Sequence, residues 1–217
     1  MTGSEAAQEV SVAQLISWFE CFARDVERHA DELSTLDAAI GDADHGTNLN
    51  RGCQAAARAL SGNRPQTVGE FARTIGMQLI SSVGGASGVL YGSFFLGYGT
   101  AAGDATTLTP RALAAAWDVG VTGVVSRGKA AVGDKTMVDV LVPTRNALRS
   151  AVDDGAGLKE ALTAALAAAD QGLESARPLV ARKGRASYVG ERSAGHQDPG
   201  AQSSWLLVRA AAATLAG

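Results

Sequence analysis

The sequence predicts an all-α fold, a bundle of about eight antiparallel up-and-down helices. Apolar residues recur at steps of three and four positions along most of the chain, as on one face of an α-helix. Helix-start patterns such as Thr67-x-x-Glu70 and Thr109-Pro110 precede several of these segments. The connections are short, so successive helices should be antiparallel neighbours. Two valine-rich runs, 121–125 and 138–142, lie inside longer helical patterns, and no sheet is predicted.

The first four helices follow from apolar periodicity and from their starting residues. The first is amphipathic and should end near Asp37, with His29 as a partly covered edge residue rather than a ligand. The pattern Thr67-x-x-Glu70 is a capping box for the third helix, and Gly84-Gly85 precedes the fourth. The expected spans are residues 12–37, 48–60, 68–79 and the segment after 85.

The last four helices are bounded mainly by threonine and proline. Thr109-Pro110 fits N-cap and first helical position of the fifth, which should run to about Val125. Thr136 is expected to cap the sixth, with Pro143 kinking it or removing its first turns. An alanine-rich seventh helix, Leu158–Ala176, should stop before Pro178, and the last should span 201–215. The polar segment 178–200 is long for a compact domain, which indicates a functional loop.

Composition predicts one domain, residues 1–217, with a core of Ala, Leu and Val, because 46% of residues are hydrophobic and only 5% are aromatic. The formal net charge of -3 gives no indication of a nucleic-acid partner. No apolar run reaches the roughly 20 residues of a membrane span. Cys21 and Cys53 are expected to be free thiols in a reducing compartment, and residues 1–9 lack the pattern of a secretion signal. A soluble cytoplasmic protein is therefore expected.

Three carboxylates, Asp37, Asp42 and Asp44, lie close together in the sequence with Gly41 and Gly46 among them. A glycine-bent turn at a helix end can bring all three to one point, where they repel each other unless a cation is present. Oxygen ligands alone favour Mg²⁺ over zinc. The alternative is an acidic helix-end loop whose aspartates act as N-caps.

Four loop segments should meet at one end of the bundle. In an up-and-down arrangement, alternate connections fall at the same end. The segments 37–48, 83–88, 126–139 and 181–200 are the first, third, fifth and seventh connections. The helix count alone therefore predicts a single site built from all four.

The other three segments have features of a nucleotide site. Gly84 to Gly88 opens a helix whose free N–H groups can face an anion, although close helix packing also favours glycines there. Met137 follows a glycine-bearing turn and is able to lie against a base, whereas a core methionine is the commoner case. Arg185 lies in the long loop and suits bidentate phosphate contact, unless the loop is simply a solvated basic segment.

The four segments together closely resemble the nucleotide-binding L subunits of bacterial dihydroxyacetone kinases. The resemblance covers nearly the whole chain and is carried by residues 36–51 (LDAAIGDADHGTNLNR), 81–88 (SSVGGASG), 126–129 with 133–139 (SRGK and GDKTMVD), and 181–201 (ARKGRASYVGERSAGHQDPGA). It implies a closed barrel of eight antiparallel helices that holds ADP or ATP and two Mg²⁺ at one end.

Residue by residue, the resemblance implies a role for each matching position. Asp37, Asp42 and Asp44 are implied Mg²⁺ ligands, and Arg185 supports phosphoryl transfer without any protein nucleophile. The implied nucleotide contacts are His45, Asn48, Gly84, Gly85, Ala86, Ser87, Gly128, Met137, Arg185, Asp198, Pro199 and Gly200.

The resemblance also implies partners, because the substrate of this family is bound on another polypeptide. Dihydroxyacetone is held by a K subunit, and in one branch an M subunit of the phosphotransferase system rephosphorylates a bound ADP coenzyme from phosphohistidine. Three alternatives stay open: a subunit using exchangeable ATP on dihydroxyacetone or another small sugar, a nucleotide-state sensor that binds a transcription regulator, and a fatty acid kinase domain. His45 argues against the last. The oligomeric state is left open, with a homodimer as one option.

Overall fold

The computed structural model describes residues 9–216. In this part of the chain nine α-helices account for nearly all regular structure, and they enclose one main apolar core. The elements are β1 (Val10–Ser11), α1 (Val12–Arg28), α2 (Ala30–Ile40), α3 (His45–Gly62), α4 (Val68–Ser82), α5 (Gly85–Ala102), β2 (Thr107–Leu108), α6 (Pro110–Gly128), α7 (Val138–Asp153), α8 (Leu158–Ala176), a 3₁₀ helix (Arg185–Ser193) and α9 (Pro199–Leu215).

Eight of the helices form a closed ring, which confirms the predicted helical barrel. Packing runs from α1 to α3 and then in chain order through α9, which returns to pack against α1. Helix α2 lies outside this ring, against α3 and the 3₁₀ helix. Because helices that follow one another in the ring also pack against each other, every second connection reaches the same end of the barrel.

The predicted first helix is divided in two, which is the main error in the helix count. At His29 the backbone leaves the helical region (φ -103°, ψ 12°). The backbone N–H of His29 (3.1 Å) and its imidazole Nδ1 (2.7 Å) are both within hydrogen-bonding distance of the Asp25 carbonyl oxygen. Leu33 beyond the break is as fully buried as the apolar residues before it. The apolar stripe thus continues across the break, so periodicity could not reveal it.

Most predicted helix starts are correct, and three are shifted. Thr67 and Thr109 cap α4 and α6 as expected. Helix α3 begins at His45 rather than 48, and α9 begins at Pro199 rather than 201. Thr136 lies one residue before the N-cap of α7, where its hydroxyl accepts from the N–H of Val138 (3.1 Å).

Three further expectations need correction. Pro143 lies inside α7, so of the two alternatives for this proline the loss of the first turns is wrong. The long segment after α8 contains the 3₁₀ helix, and β1 and β2 form a two-residue antiparallel pair with Val10 opposite Leu108. Strands of two residues leave no periodic pattern in a sequence.

The centre of the core is aromatic, contrary to the expected core of Ala, Leu and Val. The ring of Trp18 stacks on Trp117 at a centroid distance of 5.5 Å, and Phe94 meets both Phe95 and Trp117 edge-on at 5.2 Å. The few aromatic residues are concentrated in one place, and small and aliphatic residues surround them. None of the helices in the described residues is long and apolar enough to cross a membrane.

Candidate functional site

A pocket of about 540 Å³ lies at one end of the barrel, where the connections α2–α3, α4–α5, α6–α7 and α8–α9 meet. The structure therefore brings together the four segments that the sequence separates. All fifteen candidate residues line this pocket: Asp37, Asp42, Asp44, His45, Asn48, Gly84, Gly85, Ala86, Ser87, Gly128, Met137, Arg185, Asp198, Pro199 and Gly200.

The acidic turn between α2 and α3 brings its three carboxylates to one point. Asp37, Asp42 and Asp44 each offer an oxygen, and these oxygens lie within 4.8 Å of one another. Asp37 is buried, and its Oδ2 accepts the backbone N–H groups of Asp44 (2.9 Å) and His45 (3.1 Å). These bonds leave the other Asp37 oxygen available and fix the bend of the turn.

The N-cap alternative for this turn applies to Asp37 alone, because its carboxylate accepts N–H groups at the start of α3. Asp44 occupies the N-cap position of α3, but its side chain makes no capping hydrogen bond. A carboxylate that caps a helix uses its oxygens on N–H groups, whereas those of Asp42 and Asp44 are exposed beside Asp37. Gly46 lets the start of α3 approach α2 closely, because a Cβ there would overlap the carbonyl oxygen of Ala30.

The long loop after α8 places a cation beside these acids. Arg185 Nη1 lies 2.6 Å from Asp42 Oδ2. The 3₁₀ helix that begins at Arg185 is attached to the end of α2 by a small apolar cluster of Ile40, Ala181 and Ala186. Within the loop, the buried Ser193 hydroxyl accepts the N–H of Ala181 (2.8 Å). The loop therefore forms a wall of the pocket, although its basic side chains are exposed to solvent.

The start of α5 provides N–H donors on the opposite wall. Gly85 has φ +67°, a left-handed backbone conformation that a side chain would strain. The first N–H groups of a helix lack intrahelical partners, and the positive end of the helix dipole lies with them. Because Ala86 and Ser87 follow directly and line the pocket, this turn can bind an anion.

His45 connects the pocket to the core through a chain of buried hydroxyl groups. Its Nδ1 lies 3.1 Å from Ser87 Oγ, and its Nε2 lies 2.9 Å from Ser203 Oγ. Ser203 donates to the carbonyl of Gly200 (3.2 Å) and is 2.7 Å from the Tyr91 hydroxyl. Serine and tyrosine hydroxyls can each donate or accept, so these contacts fit either neutral tautomer of His45.

Burial keeps His45 neutral. It lowers the pKa of the imidazole to about 4, and the neighbouring Asp44 carboxylate only partly opposes this shift. A neutral imidazole fits these contacts, because a serine hydroxyl can donate to one ring nitrogen and another can accept from the other nitrogen. His45 thus orients Ser87 and contributes no positive charge to the site at neutral pH.

A buried ammonium group supports the remaining wall. Lys135 is fully buried, and its Nζ donates to the carbonyls of Ala176 (3.0 Å) and Arg177 (2.7 Å) at the end of α8. Asp139 accepts the N–H groups of Gly133 and Thr136 (2.6 and 2.7 Å), which closes the turn between α6 and α7. Burial lowers the pKa of Lys135, and the nearby carboxylates oppose this effect.

Asp198 and Met137 lie where this turn meets α9. Asp198 caps α9 by accepting the N–H of Ala201 (2.7 Å), and its withdrawal from solvent raises its pKa to about 7. The N–H of Ala201 and the charge of Lys135 oppose that shift. Met137 is 4% exposed, so it belongs to the core and also lines the pocket. The two interpretations offered for Met137 are therefore compatible.

Four residues that support the site were not predicted from the sequence: Tyr91, Lys135, Asp139 and Ser203. Two of them had a usable pattern, since Tyr91 follows Ser87 by one turn of α5 and Ser203 follows Pro199 by one turn of α9. A lysine is ordinarily expected at the surface, so nothing in the sequence indicated that Lys135 is buried.

A family model for the DAK2 domain matches residues 39–213. The chain belongs to the DAK2 domain family. Among DAK2 relatives, the ADP-binding subunit DhaL of the PEP-dependent dihydroxyacetone kinase of Escherichia coli K12 is 42% identical over 200 residues, or 92% of this chain and 95% of the relative. The L-erythrulose 1-kinase of Mycolicibacterium smegmatis is 35% identical over 95% of this chain and 36% of its own length.

A solved structure has the same DAK2 fold. The dihydroxyacetone kinase of C. freundii, in complex with AMP-PNP and Mg²⁺, superposes with a TM-score of 0.70 and 25% identity over 98% of this chain. The chain spans only 36% of that protein. The nine-helix architecture described above is thus shared with one region of a larger kinase.

Proposed function

We propose that this chain is the nucleotide-binding subunit of a multi-subunit dihydroxyacetone kinase. The single observation that carries the proposal is the pocket itself, where three converging carboxylates, a glycine-opened helix start and Arg185 face the same space. Hard oxygen ligands for Mg²⁺, N–H donors for phosphates and an arginine are the parts that phosphoryl transfer uses. The 42% identity to an ADP-binding DhaL subunit supports this assignment.

The proposed metal ligands are Asp37, Asp42 and Asp44, which are proposed to bind two Mg²⁺ ions. The donor set fits, because it consists of carboxylate oxygens alone and no histidine or thiol belongs to the cluster. Bound Mg²⁺ would bridge phosphate oxygens and neutralise their charge. The hydrogen bonds from the backbone to Asp37 hold that carboxylate in place, and Asp42 must exchange Arg185 for the cation.

The remaining candidate residues divide into a phosphate side and a base side. Gly84 to Ser87 offer N–H groups to the phosphates, with Asn48 and His45 beside them, and Arg185 approaches from the long loop. Gly128 and Met137 are proposed to flank the adenosine, and Asp198, Pro199 and Gly200 complete the wall between the two sides. No side chain acts as a nucleophile, so the chain's part is to bind and orient the nucleotide.

The proposed reaction needs two partner subunits. Dihydroxyacetone is bound on a K subunit and becomes dihydroxyacetone phosphate, while ADP stays on this chain as a coenzyme that an M subunit of the phosphotransferase system recharges. The name of the E. coli relative, a PEP-dependent kinase, supports this donor. Residues 1–217 are proposed to be one domain acting in the cytoplasm; a bound transcription regulator and a homodimer stay predictions.

The first experiment identifies what the chain retains. The full chain is purified without added nucleotide, dialysed with Mg²⁺ present and denatured, and the released small molecules are identified. About one ADP per chain is expected for a built-in coenzyme. Asp42→Asn should abolish Mg²⁺-nucleotide retention, because it removes a ligand charge from the acidic cluster. Asp104→Asn, an exposed aspartate between α5 and β2, is the matched control and should retain ADP.

A second candidate function is an ATP-dependent sugar kinase subunit. The observation that favours it is the 35% identity to an L-erythrulose 1-kinase over nearly the whole chain. An empty pocket that binds ATP reversibly would favour this function and remove the M subunit from the proposal. Failure of the chain to bind either nucleotide in the presence of Mg²⁺ would contradict both candidates.

A further inference from the structure

An exposed arginine on α3 contacts two parts of the nucleotide pocket without lining it. Arg51 Nη2 donates to Asn48 Oδ1 (2.8 Å), and Arg51 Nε donates to the backbone carbonyl of Ser82 (2.9 Å). Asn48 lies one helical turn before Arg51, and Ser82 is the last residue of α4. One side chain therefore joins a pocket residue on α3 to the segment that leads into α5.

The bond to Asn48 decides which end of the amide is available. A carboxamide has an oxygen that accepts and an NH₂ group that donates, and the two are exchanged by a flip of the side chain. Because Arg51 has only donors, it holds Asn48 in the orientation whose oxygen faces the arginine. The Nδ2 group then lies next to Gly84, 3.3 Å from the place that a Cβ on Gly84 would occupy.

The bond to Ser82 holds the second part of the pocket. The last carbonyls of a helix have no intrahelical N–H partner, and a cation there also interacts favourably with the helix dipole. Ser82 lies two residues before Gly84, so this bond fixes the chain just before the N–H groups at the start of α5. Arg51 thereby sets the separation between the Asn48 amide and that helix start.

We propose that Arg51 is a positioning residue that presents the NH₂ group of Asn48, together with the N–H groups of Gly85 to Ser87, as one donor set. The ligand atom facing Asn48 is then a hydrogen-bond acceptor, as a phosphate oxygen is, and not a hydroxyl donor. This inference rests on the proposed nucleotide function. It adds a residue outside the pocket lining and a polarity for the contact at Asn48.

A purely structural role for Arg51 would have a different consequence. Its side chain is exposed, and a hydrogen bond between exposed groups contributes only modestly to stability. Arg51→Met should therefore lower the thermal midpoint of the nucleotide-free chain by at most a few degrees while it clearly weakens ligand binding. Arg58→Met is the matched control, because Arg58 is also exposed and lies two turns further along α3. Arg58 belongs to no ion pair among the described residues.

The test measures Mg·ADP affinity by calorimetry on the full chain stripped of nucleotide. Arg51→Met should weaken binding about tenfold, the size of one lost hydrogen bond to a charged group, and Arg58→Met should not. Asn48→Asp, which keeps an acceptor for Arg51 but loses the donor, should weaken binding at least as much. Arg51→Met could also weaken binding because it removes a positive charge that attracts the phosphates without touching them. The same substitution in the Asn48→Ala background separates this cause from the loss of Asn48 positioning.

In the Asn48→Ala background, the Arg51→Met substitution should change the affinity for Mg·ADP by less than about twofold. Arg51 is proposed to act through the Asn48 amide, and this background lacks that amide. The same tenfold loss in both backgrounds, or no loss in the wild-type background, would overturn the inference and leave the nucleotide function standing. Failure of the unsubstituted chain to bind Mg·ADP would instead overturn the proposed function, and this inference with it.

Discussion

The interior of the barrel and its loop end are built from different chemistry. In the interior, aromatic rings such as Trp18, Phe95 and Trp117 are fully buried and make contact through their faces and edges. At the loop end, four connections surround a pocket, and the charged side chains of Asp42 and Arg185 pair in its lining. Stability should therefore come mainly from the interior, and ligand binding from the loop end. Substitutions can test whether the two properties are as separate as the two regions.

The interior should show the largest effect on stability. Phe95 is fully buried and its ring lies 5.2 Å from that of Phe94 and 5.6 Å from that of Phe19. Phe95→Ala should lower the free energy of unfolding by about 4 kcal/mol, since it removes a large apolar surface and leaves a cavity. The measurement is urea unfolding of the nucleotide-free chain, with Phe95→Leu as a milder control.

The nucleotide affinity of the folded Phe95→Ala variant should stay close to that of the unsubstituted chain. Phe95 does not line the pocket, and the residues that do are held mainly by hydrogen bonds among the loops. A variant that remains folded but binds Mg·ADP at least tenfold more weakly would show that the two regions are coupled through the helices.

His45 is where the two regions meet, and its ionisation should make stability depend on pH. Its pKa is about 4 in the folded chain, below the ordinary value of 6.5, so the unfolded chain binds more protons between these values. The stability that neutral His45 contributes is present above pH 6.5 and is lost as the pH falls towards 4. At about pH 5 the loss should be about 2 kcal/mol relative to neutral pH.

The comparison of unsubstituted chain with His45→Gln isolates this effect. Asp198 acts in the opposite direction, because its pKa is raised to about 7 and the stability it contributes is lost as the pH rises towards that value. Subtracting the two unfolding curves, measured without Mg²⁺ and nucleotide, removes the contribution of Asp198. Equal pH slopes for the two proteins would contradict the assignment of a neutral, buried His45.

The sequence predicted the helices and the meeting of the loops better than it predicted the links between them. The seventh predicted helix, 158–176, matches α8 because Gly157 and Pro178 mark its ends in the sequence. The hydrogen bonds of His45 to Ser87 and Ser203 join residues 42 and 158 positions apart. Such contacts depend on which helix faces are adjacent in space, and neither periodicity nor capping patterns contain that information.

Lys135 and Arg51 are two further residues whose contacts cannot be predicted from the sequence. Lysine and arginine side chains are ordinarily exposed, yet Lys135 is fully buried at the end of α8. Arg51 is exposed, but its partners Asn48 and Ser82 are known only once α3 lies beside α4. A residue that acts on the pocket through another residue has no pattern of its own in a single sequence.

The smallest expected effect compares helix caps at the two ends of the barrel. Thr67 caps α4 at the end away from the pocket, where its hydroxyl accepts the N–H of Glu70 (3.2 Å). Thr67→Ala should lower the free energy of unfolding by about 1 kcal/mol, and Thr67→Ser should restore most of it. Mg·ADP affinity should be unchanged in both, because Thr67 does not line the pocket.

Asp198→Asn is the counterpart at the loop end. An asparagine caps a helix about as well as an aspartate, so the cap of α9 on the N–H of Ala201 should survive. The substitution exchanges one carboxylate oxygen of the pocket wall for an NH₂ group, however, so a ligand donor facing that oxygen loses its acceptor. Mg·ADP affinity should therefore fall although the unfolding transition changes little. Thr67→Ala could weaken Mg·ADP binding as much as Asp198→Asn only if the cap of α4 affected the pocket through the whole length of that helix. Such a result would contradict the assignment of stability to one region and ligand binding to the other.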